Sequence, residues 1–131
     1  MLRSLIAVAV TLSLALGGCS SACKNTIVSK AKSPDGEHIA VLFQRGCGAT
    51  TGFSTQVSIL APDEATSGGG NTFVADDDHG AAAVGAWGGA WADMRWIAPD
   101  HLLIRFAANS RIFEQNGQVS GVKISYRSAT P

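Results

Sequence analysis

Charge is scarce in this chain. Acidic and basic side chains together make up 15% of its 131 residues, and they cancel to no net charge. No run of Lys and Arg stands out along it, which argues against nucleic acid as a partner. That composition also supplies no electrostatic reason to bind lipid headgroups. Aromatics are few, at 7% with a single tyrosine, so most of any core must be aliphatic. No Cys-x-x-Cys occurs and no histidine adjoins a cysteine, which disfavours a metal or redox pair. The longest apolar run, in residues 5–16, falls short of the ~20 residues that cross a bilayer core.

That run belongs to a recognisable leader. Arg3 gives a positive start, the apolar stretch follows, and Leu16-Gly17-Gly18-Cys19 closes it. This is the layout of a secretory signal peptide. The closing segment resembles the lipobox of bacterial lipoproteins. The resemblance implies residues 1–18 as signal, a diacylglycerol thioether on Cys19, palmitate-type acylation there, and Cys19 as the mature N-terminus. Ser20 in the next position resembles the pattern that sorts such proteins to the outer membrane of a Gram-negative cell, facing the periplasm. The alternative is ordinary cleavage after residue 17, leaving Cys19 a thiol or a disulfide partner. On the lipoprotein reading, residues 19–25 form a tether and 26–131 a single domain, anchored on the extracytoplasmic side.

Three cysteines, Cys19, Cys23 and Cys47, are an odd number for an exported chain. Assigning Cys19 to lipid leaves Cys23 and Cys47 as a pair in an oxidising compartment, where a disulfide is the default.

Hydrophobic alternation of period two runs through the remainder and predicts an all-β fold. Ile27, Ser29 and Ala31 alternate with Val28 and Lys30. Ser33-Pro34-Asp35-Gly36 is a turn, with proline presetting one dihedral and glycine tolerating the positive one. Residues 38–45 carry apolar side chains on both faces, Ile39, Val41 and Phe43 against Ala40 and Leu42, as a central strand does. Thr55, Val57 and Ile59 alternate with Ser54, Gln56 and Ser58, as in a half-buried strand. Residues 72–75, 94–97 and 101–106 follow, the last two joined at Pro99-Asp100. Residues 111–114 and 119–127 flank Asn116-Gly117, a strong hairpin signal. The expectation is about seven strands in one small antiparallel meander, either a sandwich or a strongly twisted sheet.

Residues 33–41 look like the turn and inner strand of a β-propeller blade. A propeller needs at least four blades of about 40 residues, so this chain is too short to be one. Residues 47–59, Cys-Gly-Ala-Thr-Thr-Gly-Phe-Ser-Thr-Gln-Val-Ser-Ile, resemble a signature of small uncharacterised bacterial exported proteins. That resemblance implies a shared fold and brings no activity with it.

Candidate chemistry is thin. Asp76, Asp77, Asp78 and His79 put carboxylates and an imidazole on one loop, with alternate residues such as Asp76 and Asp78 able to converge on a metal ion. Their spacing matches neither an EF-hand nor a His-Glu-x-x-His site, and a solvated acidic turn is the plainer reading. Thr50, Thr51, Trp87 and Trp91 form a possible binding rim, because exposed aromatics on glycine-rich loops can grip a glycan or peptide. Tryptophans of this kind more often fold back over a sheet. The sequence therefore points to a non-enzymatic envelope lipoprotein that needs no cofactor and binds a protein or glycan. The rivals are a small metal-dependent hydrolase using Asp76, Asp78 and His79, and an inhibitor or immunity-type lipoprotein.

Overall fold

A computed structural model describes residues 23–48 and 52–131. They form nine strands: β1 (Lys24–Lys32), β2 (Ile39–Gly46), β3 (Ser54–Leu60), β4 (Phe73–Asp76), β5 (Ala92–Ala98), β6 (His101–Ala107), β7 (Arg111–Gln115), β8 (Gln118–Val119) and β9 (Val122–Ala129). Two sheets result, ordered β1-β2-β3-β4-β7 and β5-β6-β9-β8. The fold is all-β, as the alternation predicts, and of the two arrangements left open, sandwich or twisted sheet, it is the two-sheet sandwich.

Period-two alternation builds the core between the sheets. Ala40 and Leu42 of β2, Val57 and Ile59 of β3, and Phe73 and Ala75 of β4 face Leu102 and Ile104 of β6 and Val122 and Ile124 of β9. The Phe73 ring lies 5.7 Å from Phe106 and 5.8 Å from Tyr126, tilted against both. Trp96 joins the sheets at another edge, its indole N–H donating to the Ala31 carbonyl at 2.8 Å. The turn before β2 closes as its residues require. The Gly36 N–H donates to the Ser33 carbonyl at 2.9 Å, and Gly36 takes a φ of 75°.

β2 is interior, and its outer-face Val41 and Phe43 are buried as well. The outer side of β3 is also covered, although Gln56 and Ser58 suggest a solvated face. The loop between β3 and β4 folds back over this surface. Its Gly70 N–H donates to Gln56 Oε1 at 2.6 Å, and its Gly68 carbonyl accepts from Asn25 Nδ2 at 2.8 Å. Phe43, on β2 between β1 and β3, pairs with Ile27 and Gln56. Only glycine fits at position 70, where a Cβ would stand 2.8 Å from the Val57 carbonyl oxygen.

Four details differ from the sequence expectation. There are nine strands among the described residues rather than about seven. Lys24 and Asn25, expected at the end of a tether, belong to β1, where Lys24 pairs with Gly46 and Asn25 with Arg45. Asn116-Gly117 does not close a hairpin; β7 pairs with β4 in the first sheet, and the tight turn is Ser120-Gly121, between β8 and β9. Finally, β9 runs parallel to β6, so the sandwich is not a pure antiparallel meander. The crossover from β6 through β7 carries the chain to the other sheet and returns it in the same direction.

Tyr126 clips this crossover. Its hydroxyl lies 2.7 Å from the Asn116 carbonyl and 3.1 Å from that of Thr72. Burial first, then the nearby Glu114 carboxylate, push the phenol well above its ordinary value. The native state therefore holds this proton more tightly than the unfolded chain. The stability it contributes is complete below the ordinary tyrosine value and is lost as pH rises through the raised one. As the only tyrosine, it gives an unambiguous phenolate absorbance titration. Ionisation is expected to coincide with loss of circular dichroism at alkaline pH; a reversible titration at the ordinary tyrosine value in folded protein is the result that contradicts this.

Candidate functional site

The acidic loop leaves the end of β4, and the β4–β7 pairing sets Asp76 opposite Arg111. Arg111 grips the carboxylate with both arms, Nε to Oδ1 at 3.1 Å and Nη2 to Oδ2 at 2.5 Å. Asp76 Oδ1 also accepts the Asp78 N–H at 2.9 Å, which starts a tight turn. Asp78 and His79 both adopt positive φ, 48° and 56°, and the Ala81 and Ala82 N–H groups close the turn on the Asp78 and Asp77 carbonyls. A cleft of about 340 Å³ results, lined by Gly52, Phe53, Ser54, Asp76, Asp77, His79 and Arg111.

Asp76, Asp77 and His79 thus share a cleft, whereas Asp78 is exposed outside its lining. Among the described residues, no three His, Cys, Asp or Glu side chains are placed to hold a metal ion. The hydrogen bond from Arg111, helped by the Asp78 N–H, holds the Asp76 carboxyl below its ordinary value. A carboxylate so held is a weak base. Its stabilising effect is present above the ordinary aspartate value and is lost as pH falls through the depressed one. Asp76→Asn should therefore cost about 0.5 kcal/mol near neutrality, as exposed ion pairs do, and nothing in strong acid. Paired melts across acidic pH test this, and a gap that persists unchanged into strong acid contradicts it.

Of the residues expected in a rim, Thr50, Thr51, Trp87 and Trp91, the structure describes the two tryptophans. Thr50 and Thr51 lie outside the described residues. Trp87 is structural: its indole N–H donates to Thr55 Oγ1 at 2.9 Å, and that hydroxyl donates to the Ala90 carbonyl at 2.5 Å. Gln44 Nε2 donates to the Trp87 carbonyl. The glycine-rich loop thereby plugs one end of the sandwich. Glycine is needed at position 85, where a Cβ would sit 2.4 Å from the Trp87 ring, and at 89, where it would sit 2.6 Å from Thr55 Oγ1. Thr55 is fully buried, so Thr55→Val strands two polar groups and should cost about 2 kcal/mol. Urea unfolding measures this, and a change below a few tenths of a kcal/mol would show that the plug is not held here.

Trp91 is half-buried beneath Arg105, whose guanidinium lies 5.6 Å from the ring centroid. Arg105 opens a second cleft, of about 270 Å³, lined by Asp93, Met94, Arg95, Leu103, Arg105 and Arg127. These arginines are ten or more positions apart in sequence, so no cluster is visible there. The fold brings these three arginines together with Asp93 in one cleft. Alternation within β5, β6 and β9 carried the signal, but only the strand order brings those residues together. Comparison of the chain with protein-family models, with curated proteins and with solved structures finds no match.

Proposed function

We propose that this protein is a cell-envelope lipoprotein, anchored through acylated Cys19, whose β-sandwich acts by binding rather than by catalysis. One observation carries the anchoring. The disulfide joins Cys23 to Cys47, which accounts for two of the three cysteines and leaves Cys19 as the odd one, directly behind Leu16-Gly17-Gly18. A disulfide-bonded domain belongs in an oxidising compartment, which agrees with an export leader. The binding reading draws support from the acidic cleft, where Asp76 is committed to an ion pair with Arg111. The segment resembling small exported proteins also supplies framework. Its Cys47 is bridged, its Ser54 hydroxyl donates to the Arg45 carbonyl at 3.2 Å, and its Thr55 holds the Trp87 plug.

The test is the intact mass of protein matured from its own leader in a bacterial host, with and without reductant. A chain beginning at Cys19, carrying acyl mass and gaining two hydrogens on reduction, is the expected result. An unacylated chain would overturn the anchor and leave a soluble secreted domain.

A further inference from the structure

The outer face of the second sheet segregates charge in a way the whole chain does not. β5, β6 and β9 lie side by side, and their outward residues fall into rungs. Asp93, Arg105 and Arg127 share one rung. Arg95, Leu103 and Ser125 share the next on that face, about 7 Å away. His101 and Lys123 pair one rung further, near Asp100 in the β5–β6 turn. Within the cleft itself, Arg95, Arg105 and Arg127 meet a single carboxylate, Asp93.

These arginines are not equivalent. Arg105 is spoken for: Nε donates to Asp93 Oδ1 at 2.9 Å, Nη2 donates to Oδ2, and the Trp91 ring lies under the guanidinium. Arg95 and Arg127 have no ion-pair partner among the described residues. The cleft therefore holds one arginine fixed by its neighbours and two whose donors are unclaimed. Leu103, nearly buried, supplies an apolar floor between them that cannot compete for those donors. Guanidinium forks match the oxygens of carboxylates and phosphates in pairs. One fork satisfies a planar carboxylate, as Asp93 shows with Arg105. Two unclaimed forks on separate strands suit a group with oxygens pointing in several directions.

We propose that the Arg95–Arg105–Arg127 cleft is a binding site for a phosphoryl group, either free in solution or borne on a lipid headgroup. The site does not depend on the Cys19 anchor. Arg95 and Arg127 bind the phosphoryl oxygens, Arg105 is the pre-positioned third cation, and Asp93 keeps Arg105 in place.

The experiment is NMR of the guanidinium Nε–H groups in isotope-labelled mature protein, purified in neutral detergent. It is titrated with inorganic pyrophosphate, with acetate, and with micelles doped with phosphatidylglycerol or phosphatidylcholine. Saturable shifts at Arg95, Arg105 and Arg127, with Arg45 and Arg111 unmoved, are expected. Pyrophosphate producing them assigns a soluble phosphoryl ligand; phosphatidylglycerol alone producing them assigns a headgroup. Arg127→Gln should weaken binding by roughly tenfold or more, with the melting temperature unchanged, and Arg127→Lys should restore part of it. Equal shifts at every surface cation, equal response to acetate, or no saturable shift with either phosphoryl probe would overturn the proposal.

Discussion

Phe73→Ala is expected to destabilise the domain by about 4 kcal/mol, at the upper end of single-residue effects. Phe73 has no exposed surface, and it stands where three terms coincide. Its ring fills the space between the sheets against Phe106 and Tyr126, so truncation loses both burial and packing and leaves a cavity. Its strand is only four residues long, yet it joins β3 to β7, so few other contacts hold that part of the sheet. Thr72, its neighbour in sequence, supplies a carbonyl that accepts from Tyr126 and from the Asn116 N–H. A shift of β4 therefore disturbs the crossover as well. Domains of this size are stable by only about 5–15 kcal/mol, and a loss of this order should lower the melting temperature by roughly 15 °C or more. Phe73→Leu, which keeps most of the volume, should cost distinctly less. A Phe73→Ala protein melting within a few degrees of the parent would show that the intersheet core is centred elsewhere.

Much of this architecture is written in local alternation. β2 reads as central because apolar residues occupy both its faces, and it is central because β1 and β3 pair on either side. The Pro34-Asp35-Gly36 and Pro99-Asp100 turns fall where their residues demand. The failures are instructive because each involves a partner far away in sequence. Asn116-Gly117 has hairpin chemistry, but Asn116 is occupied elsewhere. Its N–H donates to the Thr72 carbonyl at 2.9 Å and its Nδ2 to the Asn71 carbonyl at 2.8 Å, which docks the crossover to the first sheet. Ser120 and Gly121, at φ 51° and 79°, take the two left-handed positions that a two-residue hairpin turn requires. The polar face of β3 reads as solvated because nothing local announces that the β3–β4 loop, with Gly68 and Gly70, will lie across it. Trp87 reads as either rim or cover in the sequence; in the fold its indole N–H is satisfied by Thr55, a small hydroxyl in an otherwise apolar register, and the side chain packs against the core. The arginine cleft was out of reach for the same reason: alternation places Arg95, Arg105 and Arg127 outward, but only the parallel β6–β9 pairing puts the last two abreast.

Removing the Cys23–Cys47 bridge, by reduction or as Cys23→Ser/Cys47→Ser, is expected to cost about 3 kcal/mol on the chain-entropy account. The cysteines are 24 positions apart, and they flank the last rung of the β1–β2 ladder, Lys24 with Gly46. In the folded protein that ladder already holds the two cysteines close, so the bridge adds little to native contacts. Its larger effect is on the unfolded chain, whose freedom it restricts. Two consequences follow that a purely local contact would not produce. Global stability should fall by more than any one rung of β1 could account for. Hydrogen exchange should also quicken twice over: at the β1 amides nearest Cys23 through local fraying, and at core amides such as Leu42 and Val57 in proportion to the lost global stability. β1 is an edge strand of the first sheet, and the bridge ties its start to the end of β2, which pairs on both sides. A double-serine protein with unchanged unfolding midpoint and unchanged exchange at Leu42 and Val57 would contradict this role for the bridge.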